Sequence, residues 1–170
     1  MAVWQPAYIG LGSNLVDPAT QVRQAVQRLA ALPQTRLVAV SRLFGSRPLG
    51  PVPQPDFVNA VAGVLTRLTA VALLRELRDL EAQAGRPAVH ERWGPRVIDL
   101  DVLIFGREQS RSPELVLPHP GVVERNFVLY PLADIAPELE VPGRGRVREL
   151  LTRVGVDGVW PLGEARPGEG

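Results

Sequence analysis

Asp99 and Asp101 stand two residues apart in the run VIDLDVLIF, an apolar stretch with the composition of a strand. With a side-chain period of two, Val97, Asp99, Asp101, Leu103 and Phe105 share one face, and Ile98, Leu100, Val102 and Ile104 share the other. Two ionised carboxylates so placed lie ~5 Å apart and repel by roughly 3 kcal/mol at an effective dielectric near 20. A cation would offset that repulsion. Oxygen-only ligands favour a hard ion such as Mg²⁺, which brings substrate phosphates with it. The alternative is that each Asp pairs with an arginine of the preceding loop. That loop carries Arg86, Arg92 and Arg96, which could equally converge on a polyphosphate above the acids. Trp93, in the same loop, reads as a packing anchor.

Phe57 and Asn59 open another apolar run and face the same way, so a ring and an amide could stack on and hydrogen-bond a flat heterocycle. A core Phe and a turn-linked Asn are the ordinary alternative. His119, between Pro118 and Pro120, is a possible phosphate contact but cannot build a zinc site alone. Gly10-Leu11-Gly12-Ser13-Asn14 lacks both the third glycine of a dinucleotide fingerprint and the Gly-Lys of a P-loop, and reads as a structural turn.

Composition narrows the chemistry. All 19 basic residues are Arg, which removes Schiff-base, P-loop and general-base lysines. The absence of Cys removes thiolate metal sites, disulfides and cysteine nucleophiles. A net charge of +1 leaves no electrostatic footprint for nucleic acid. No leader pattern or bilayer-length apolar run is present, so the expected location is the cytoplasm, and the expected state a monomer.

The elements that must position these residues follow from periodicity. A strand over 7–12 leads to a helix beginning at Asp17-Pro18, with Asp17 as amide cap and Val22, Ala25, Val26 and Leu29 on its apolar face. A second strand fits 37–44. Gly45–Pro55, with four prolines and two glycines, should be a semi-rigid loop. A strand over 57–68 precedes a helix capped by Thr69, carrying Leu73, Leu74, Leu77 and Leu80 and ending at Gly85. With the Asp-bearing strand this order is βαββαβ, the ferredoxin-like α+β arrangement: an antiparallel sheet with helices on one face and the other face left for loops and a ligand. Beyond it, 115–117 suggests a short strand, and 126–135 and 147–154 short helices. A single domain over 1–154 is expected, with 155–170 a partly ordered tail.

In order, YIGLGSN, RPLGPVPQPDFVNA, LEAQAGR, ERWGPRVIDLDVLIFG, LPHPGVVERNF and PLADIAPEL resemble the 6-hydroxymethyl-7,8-dihydropterin pyrophosphokinase family of folate biosynthesis, over residues 7–151. The resemblance implies transfer of the β,γ-diphosphate of ATP to the pterin hydroxymethyl oxygen, leaving AMP. By it, Asp99 and Asp101 are ligands of two Mg²⁺ ions. Phe57, Asn59 and Phe127 hold the pterin, with the backbone of Ser46 to Leu49 reading its edge. Glu81, Arg96, His119 and Arg125 bind or orient ATP, and Arg86 is a mobile-loop arginine; Arg92 is a further ATP contact from its place in the same loop, not from the resemblance. Two positions depart from the family pattern: Ala88 replaces a common second basic residue, and Arg47 stands where a small residue is usual.

The expected course is ordered, with Mg²⁺-ATP first, the Pro-rich and Arg-rich loops closing, and the pterin hydroxyl attacking the β-phosphorus. A ferredoxin-like small-ligand regulatory module is the rival from another class, and an Arg-rich RNA-binding domain a third.

Overall fold

The computed structural model describes residues 3–85 and 97–163. It runs β1 (Gln5–Ser13), α1 (Pro18–Ala30), β2 (Thr35–Val40), β3 (Leu43–Ser46), β4 (Phe57–Thr66), α2 (Ala70–Gln83) and β5 (Asp99–Phe105). There follow β6 (Ser110–Arg111), β7 (Val116–Leu117), α3 (Gly121–Glu124), α4 (Asn126–Ile135), β8 (Glu140–Val141), β9 (Gly145–Arg146), α5 (Val147–Leu151) and β10 (Val159–Gly163). The main sheet has the order β10-β3-β4-β1-β5, with β2 also paired to β4, and every pairing in it is antiparallel. Taking β2 and β3 as one interrupted strand, this is the ferredoxin-like βαββαβ core.

The interruption has a local cause. Ser41 sits between the two strands, and its hydroxyl replaces a backbone carbonyl by accepting the Val61 N–H at 2.9 Å. The ladder therefore continues across the kink. At the start of α1 the expected amide cap does not form. Asp17 takes a left-handed conformation (φ 57°), and its carboxylate accepts the Thr20 hydroxyl at 2.8 Å instead. Thr69 does cap α2, accepting the Ala72 N–H at 3.1 Å, and Gly85, with φ +92°, ends the turn that follows.

One core lies between the sheet and α1 and α2. Ile9, Leu11, Ala62, Leu100 and Val102 meet Val22, Leu29, Leu73 and Leu77 there. A second lies on the opposite face, where Val61, Leu103 and Ile104 pack against Val122, Leu129, Leu132 and Leu150. Strict alternation along β5 predicts the wrong faces for two residues here. The register passes from Ile9↔Val102 to Tyr8↔Ile104, leaving Leu103 unopposed. This bulge inverts the parity, so Ile104 joins the second core and Phe105 the first. Leu103 receives the cover its position requires, from α3 and α4. Helix α5 ends at Leu151, shorter than periodicity suggests. Val159–Gly163, in a stretch without readable periodicity, pairs as β10 with β3.

Candidate active site

Where α3, α4 and α5 do not cover the sheet, a cavity of about 280 Å³ opens above β4, β1 and β5. Its floor follows from strand register. Asn59 on β4, Gly12 on β1 and Asp99 on β5 form one row across the sheet, and Val61, Gly10 and Asp101 form the next. At ~4.8 Å per strand, the two ends of a row stand ~10 Å apart. Glycines in the middle strand keep the trough between them open. A β-carbon on Gly12 would lie 3.4 Å from Asn59 Oδ1, and one on Gly10 would lie 3.3 Å from the Leu103 side chain.

At the β4 end, the Asn59 side-chain amide is committed by its donors. Its Nδ2 donates to Ser46 Oγ at 2.8 Å and to the Phe44 carbonyl at 3.3 Å. That turns Oδ1 toward Gly12 as an acceptor for a ligand N–H. Phe57 begins β4 and Phe127 is the second residue of α4, and both rings line the cavity. The Arg125 guanidinium lies 5.9 Å from the Phe127 ring centre. Asn14 secures the Pro-rich loop beside them, donating from Nδ2 to Gln54 Oε1 at 2.8 Å and to the Pro55 carbonyl at 3.0 Å.

At the β5 end, burial chiefly, and then the Asp99 charge, push the Asp101 carboxyl up to about 7. The charges of Arg78 and Arg125 oppose this, and Glu81 adds to it. About a third of the Asp101 side chain (31 %) still faces the cavity. The outer edge of β5 is held between these acids: Leu100 N–H donates to Glu81 Oε2 at 2.9 Å, and Arg78 Nη1 donates to the Leu100 carbonyl at 2.9 Å. Arg78 also pairs with Glu81 Oε1 at 2.6 Å.

The bulge at Leu103 places His119. Its backbone N–H donates to the Leu103 carbonyl at 2.8 Å. Nδ1 accepts the Gly121 N–H at 2.9 Å, which leaves the neutral ring's proton on Nε2, 4.0 Å from Asp101 Oδ2. Burial first, and then Arg125, lower the His119 pKa, so the ring is a neutral donor near pH 7.

Of the residues singled out from the sequence, Ser46, Leu49, Phe57, Asn59, Asp99, Asp101, His119, Arg125 and Phe127 line this one cavity. Glu81 is buried at the β5 edge (3 % exposed), outside the lining. Arg86, Arg92 and Arg96 lie outside the described residues, as do Trp93 and Ala88. The sequence places Gly10 and Gly12 in a strand over 7–12 closing in a structural turn; β1 runs on through Ser13, and the two glycines are cavity floor rather than turn residues. Two glycines spaced by two in a strand were the available signal, since that spacing clears one face. Arg78 was not anticipated. Among the described residues no group of three or more His, Asp or Glu gathers around a metal position.

A family model for 7,8-dihydro-6-hydroxymethylpterin-pyrophosphokinase (HPPK) matches residues 8–137. The chain belongs to this family. It is 47 % identical over 159 residues to the 2-amino-4-hydroxy-6-hydroxymethyldihydropteridine pyrophosphokinase of Pseudomonas aeruginosa, covering 93 % of this chain and 97 % of that one. The Haemophilus influenzae protein of the same name is 43 % identical, covering 85 % and 90 %. Among solved structures, Plasmodium falciparum HPPK-DHPS with pterin and p-hydroxybenzoate shares the fold, with TM-score 0.70 and 14 % identity. That match covers 90 % of this chain, which spans 43 % of the longer Plasmodium chain. As an HPPK, the chain transfers pyrophosphate from ATP to hydroxymethyldihydropterin in folate biosynthesis. It therefore binds both, with ATP as co-substrate and a general metal requirement. The binding-module and RNA-binding readings give way to an enzyme. No helix among the described residues is long and apolar enough to cross a membrane.

Proposed function

We propose that the two ends of the cavity divide the two substrates of this HPPK, with the pterin between Phe57 and Phe127 and the ATP polyphosphate over Asp99 and Asp101. The observation that carries this is the row Asn59–Gly12–Asp99, which sets an amide acceptor beside two rings at one end and a carboxylate pair at the other. Asn59 Oδ1 accepts from a pterin N–H, and the backbone from Ser46 to Leu49 borders the ring edge. Asp99 and Asp101 hold two Mg²⁺ ions. The fit is supported by the register that sets both carboxylates at one end of the cavity, and by the burial that, with the Asp99 charge, disfavours the Asp101 carboxylate without a cation beside it. Held by these carboxylates, Mg²⁺ would supply neutralisation of phosphate charge and would lower the pKa of the attacking hydroxyl.

Arg125 and the neutral Nε2–H of His119 bind phosphate oxygens. The pterin hydroxymethyl oxygen attacks the β-phosphorus, the bond to the α-phosphate bridging oxygen breaks, and AMP leaves. From the resemblance, Arg86 and Arg96 assist transfer and Glu81 contributes to ATP binding through the β5 edge it holds, while Arg92, in the same loop as Arg86 and Arg96, is a further ATP contact. We assign the protein to the cytoplasm as a monomer, a state that size-exclusion chromatography checks.

Incubating the protein with ATP, Mg²⁺ and 6-hydroxymethyl-7,8-dihydropterin should yield AMP and the pterin diphosphate, with Asn59→Ala raising the pterin KM and Asp101→Ala lowering Mg²⁺-dependent kcat/KM on the order of 10³-fold. Near-normal turnover by Asp101→Ala would overturn the metal assignment.

A further inference from the structure

Residues 155–160 touch both walls of the aromatic slot. On the α4 side, Asn126, immediately before Phe127, donates from Nδ2 to the Gly155 and Asp157 carbonyls, each at 2.9 Å. On the other side, the Arg47 N–H donates to the Gly158 carbonyl at 3.0 Å. The Arg47 side chain lies over Gly158, its Nε 3.3 Å from where a β-carbon would stand, and Gly158 has φ +74°. Val159 then pairs with Ser46, the residue opposite Phe57, and Trp160 pairs with Gly45.

Gly45 shares its face with Val58, whose side chain packs toward α1 and α2, so the Trp160 indole lies behind the sheet, away from the cavity. It sits so closely on Gly45 that any β-carbon there would collide with the indole. The far end of α4 is already tied to the sheet by the Arg42–Asp134 ion pair at 3.0 Å. The near end, which carries Phe127, is tied through Asn126 to this segment.

We propose that residues 155–160 are a positioning strap that fixes the gap between the Phe57 and Phe127 walls, with Asn126 and the Trp160–Gly45 contact as its two anchors. The inference rests on the slot being the pterin site. A gap held fixed spares the pterin the work of ordering its walls, so loosening either anchor should weaken pterin binding and spare ATP.

The test is steady-state kinetics on the full chain with each substrate varied, together with thermal midpoints and direct pterin titration in Mg²⁺ with a non-hydrolysable ATP analogue. Asn126→Ala should raise the pterin KM and Kd roughly tenfold, the scale of losing one or two hydrogen bonds, with the ATP KM within about twofold. Gly45→Ala should do the same by displacing Trp160, and Trp160→Phe, which keeps a flat ring on Gly45, should retain pterin affinity better than Trp160→Ala. In the double variant Gly45→Ala/Trp160→Ala the collision partner is gone, so its pterin KM should be no worse than that of Trp160→Ala alone. Lowered midpoints with an unchanged pterin KM, or equal shifts in both KM values, would overturn the strap. Asn59→Ala and Phe57→Ala separate the two ideas. If they weaken pterin binding and Asn126→Ala does not, the strap alone fails; if they leave it unchanged, the slot assignment fails.

Discussion

The two faces of the main sheet are built from the same strands and treated in opposite ways. Toward α1 and α2, β1 presents Ala7, Ile9 and Leu11, β4 presents Ala60, Ala62 and Val64, and β5 presents Leu100 and Val102, all nearly inaccessible. One residue along, the same strands present Gly10, Gly12, Asn59, Asp99 and Asp101 to a cavity. Helices α3, α4 and α5 seal only the part of that face around Val61, Leu103 and Ile104. The difference teaches that no special element makes this site. Alternation assigns stability to one face and chemistry to the other, and glycines clear the space between. Effects on the two faces should therefore separate.

The largest expected effect is catalytic. Asp101→Ala should cut kcat/KM on the order of 10³-fold, the scale of removing a main stabiliser of transition-state charge. Its thermal midpoint should not fall, because burial already penalises the ionised Asp101 carboxyl in the folded state. A large drop in midpoint would mean that the carboxylates support the fold, and the contrast between faces would break. Across the sheet, Leu77→Ala should do the reverse. Leu77 is fully buried under the sheet, and truncation should cost ~2–5 kcal/mol in urea unfolding while leaving both KM values of the folded protein near normal.

Gly12→Ala sharpens the comparison at its midpoint. The added methyl would meet Asn59 Oδ1 at 3.4 Å and Phe57 at 3.9 Å, ordinary contact distances. The fold should accept it, but the trough floor rises. A roughly tenfold increase in pterin KM is expected, the scale of one misplaced methyl in a fitted pocket. Unchanged kinetics for both substrates would show that the floor does not limit binding.

The sealed face was the more legible of the two. The apolar spacing of Val22 and Leu29, and of Leu73 and Leu77, announces helices, and the Thr69 cap acts as its residue type implies. The Asp pair was legible because carboxylates on one strand face demand a partner. What escaped notice depends on tertiary context. The Leu103 bulge is set by pairing with β1, so local alternation could not locate it. Arg78 reads as a solvated helix residue until β5 offers its open edge. Strand β10 forms because β3 leaves an edge free and Gly45 makes room for Trp160, neither of which is visible in the Gly- and Pro-rich stretch that contains it.

The smallest expected effect concerns pH in metal-free protein. Asp101 has a folded-state pKa of about 7, against an ordinary 3.8. The folded state therefore holds a proton that the unfolded chain releases between those values. The sign follows: the stability tied to this group is fully present below pH 3.8 and is lost as pH rises through about 7. His119, with its lowered pKa, acts in the opposite sense, its contribution falling away as pH drops. The difference between wild type and Asp101→Asn isolates the carboxyl, since Asn keeps the shape and does not titrate. Thermal midpoints measured in chelator should show wild type losing ground to Asp101→Asn as pH rises from about 4 to 8. Adding Mg²⁺ with an ATP analogue at pH 8 should reverse the order, because the ionised pair is then the form that binds. A pH-independent gap would mean that Asp101 is already ionised without a cation, and the charge argument for the metal site would lose its support.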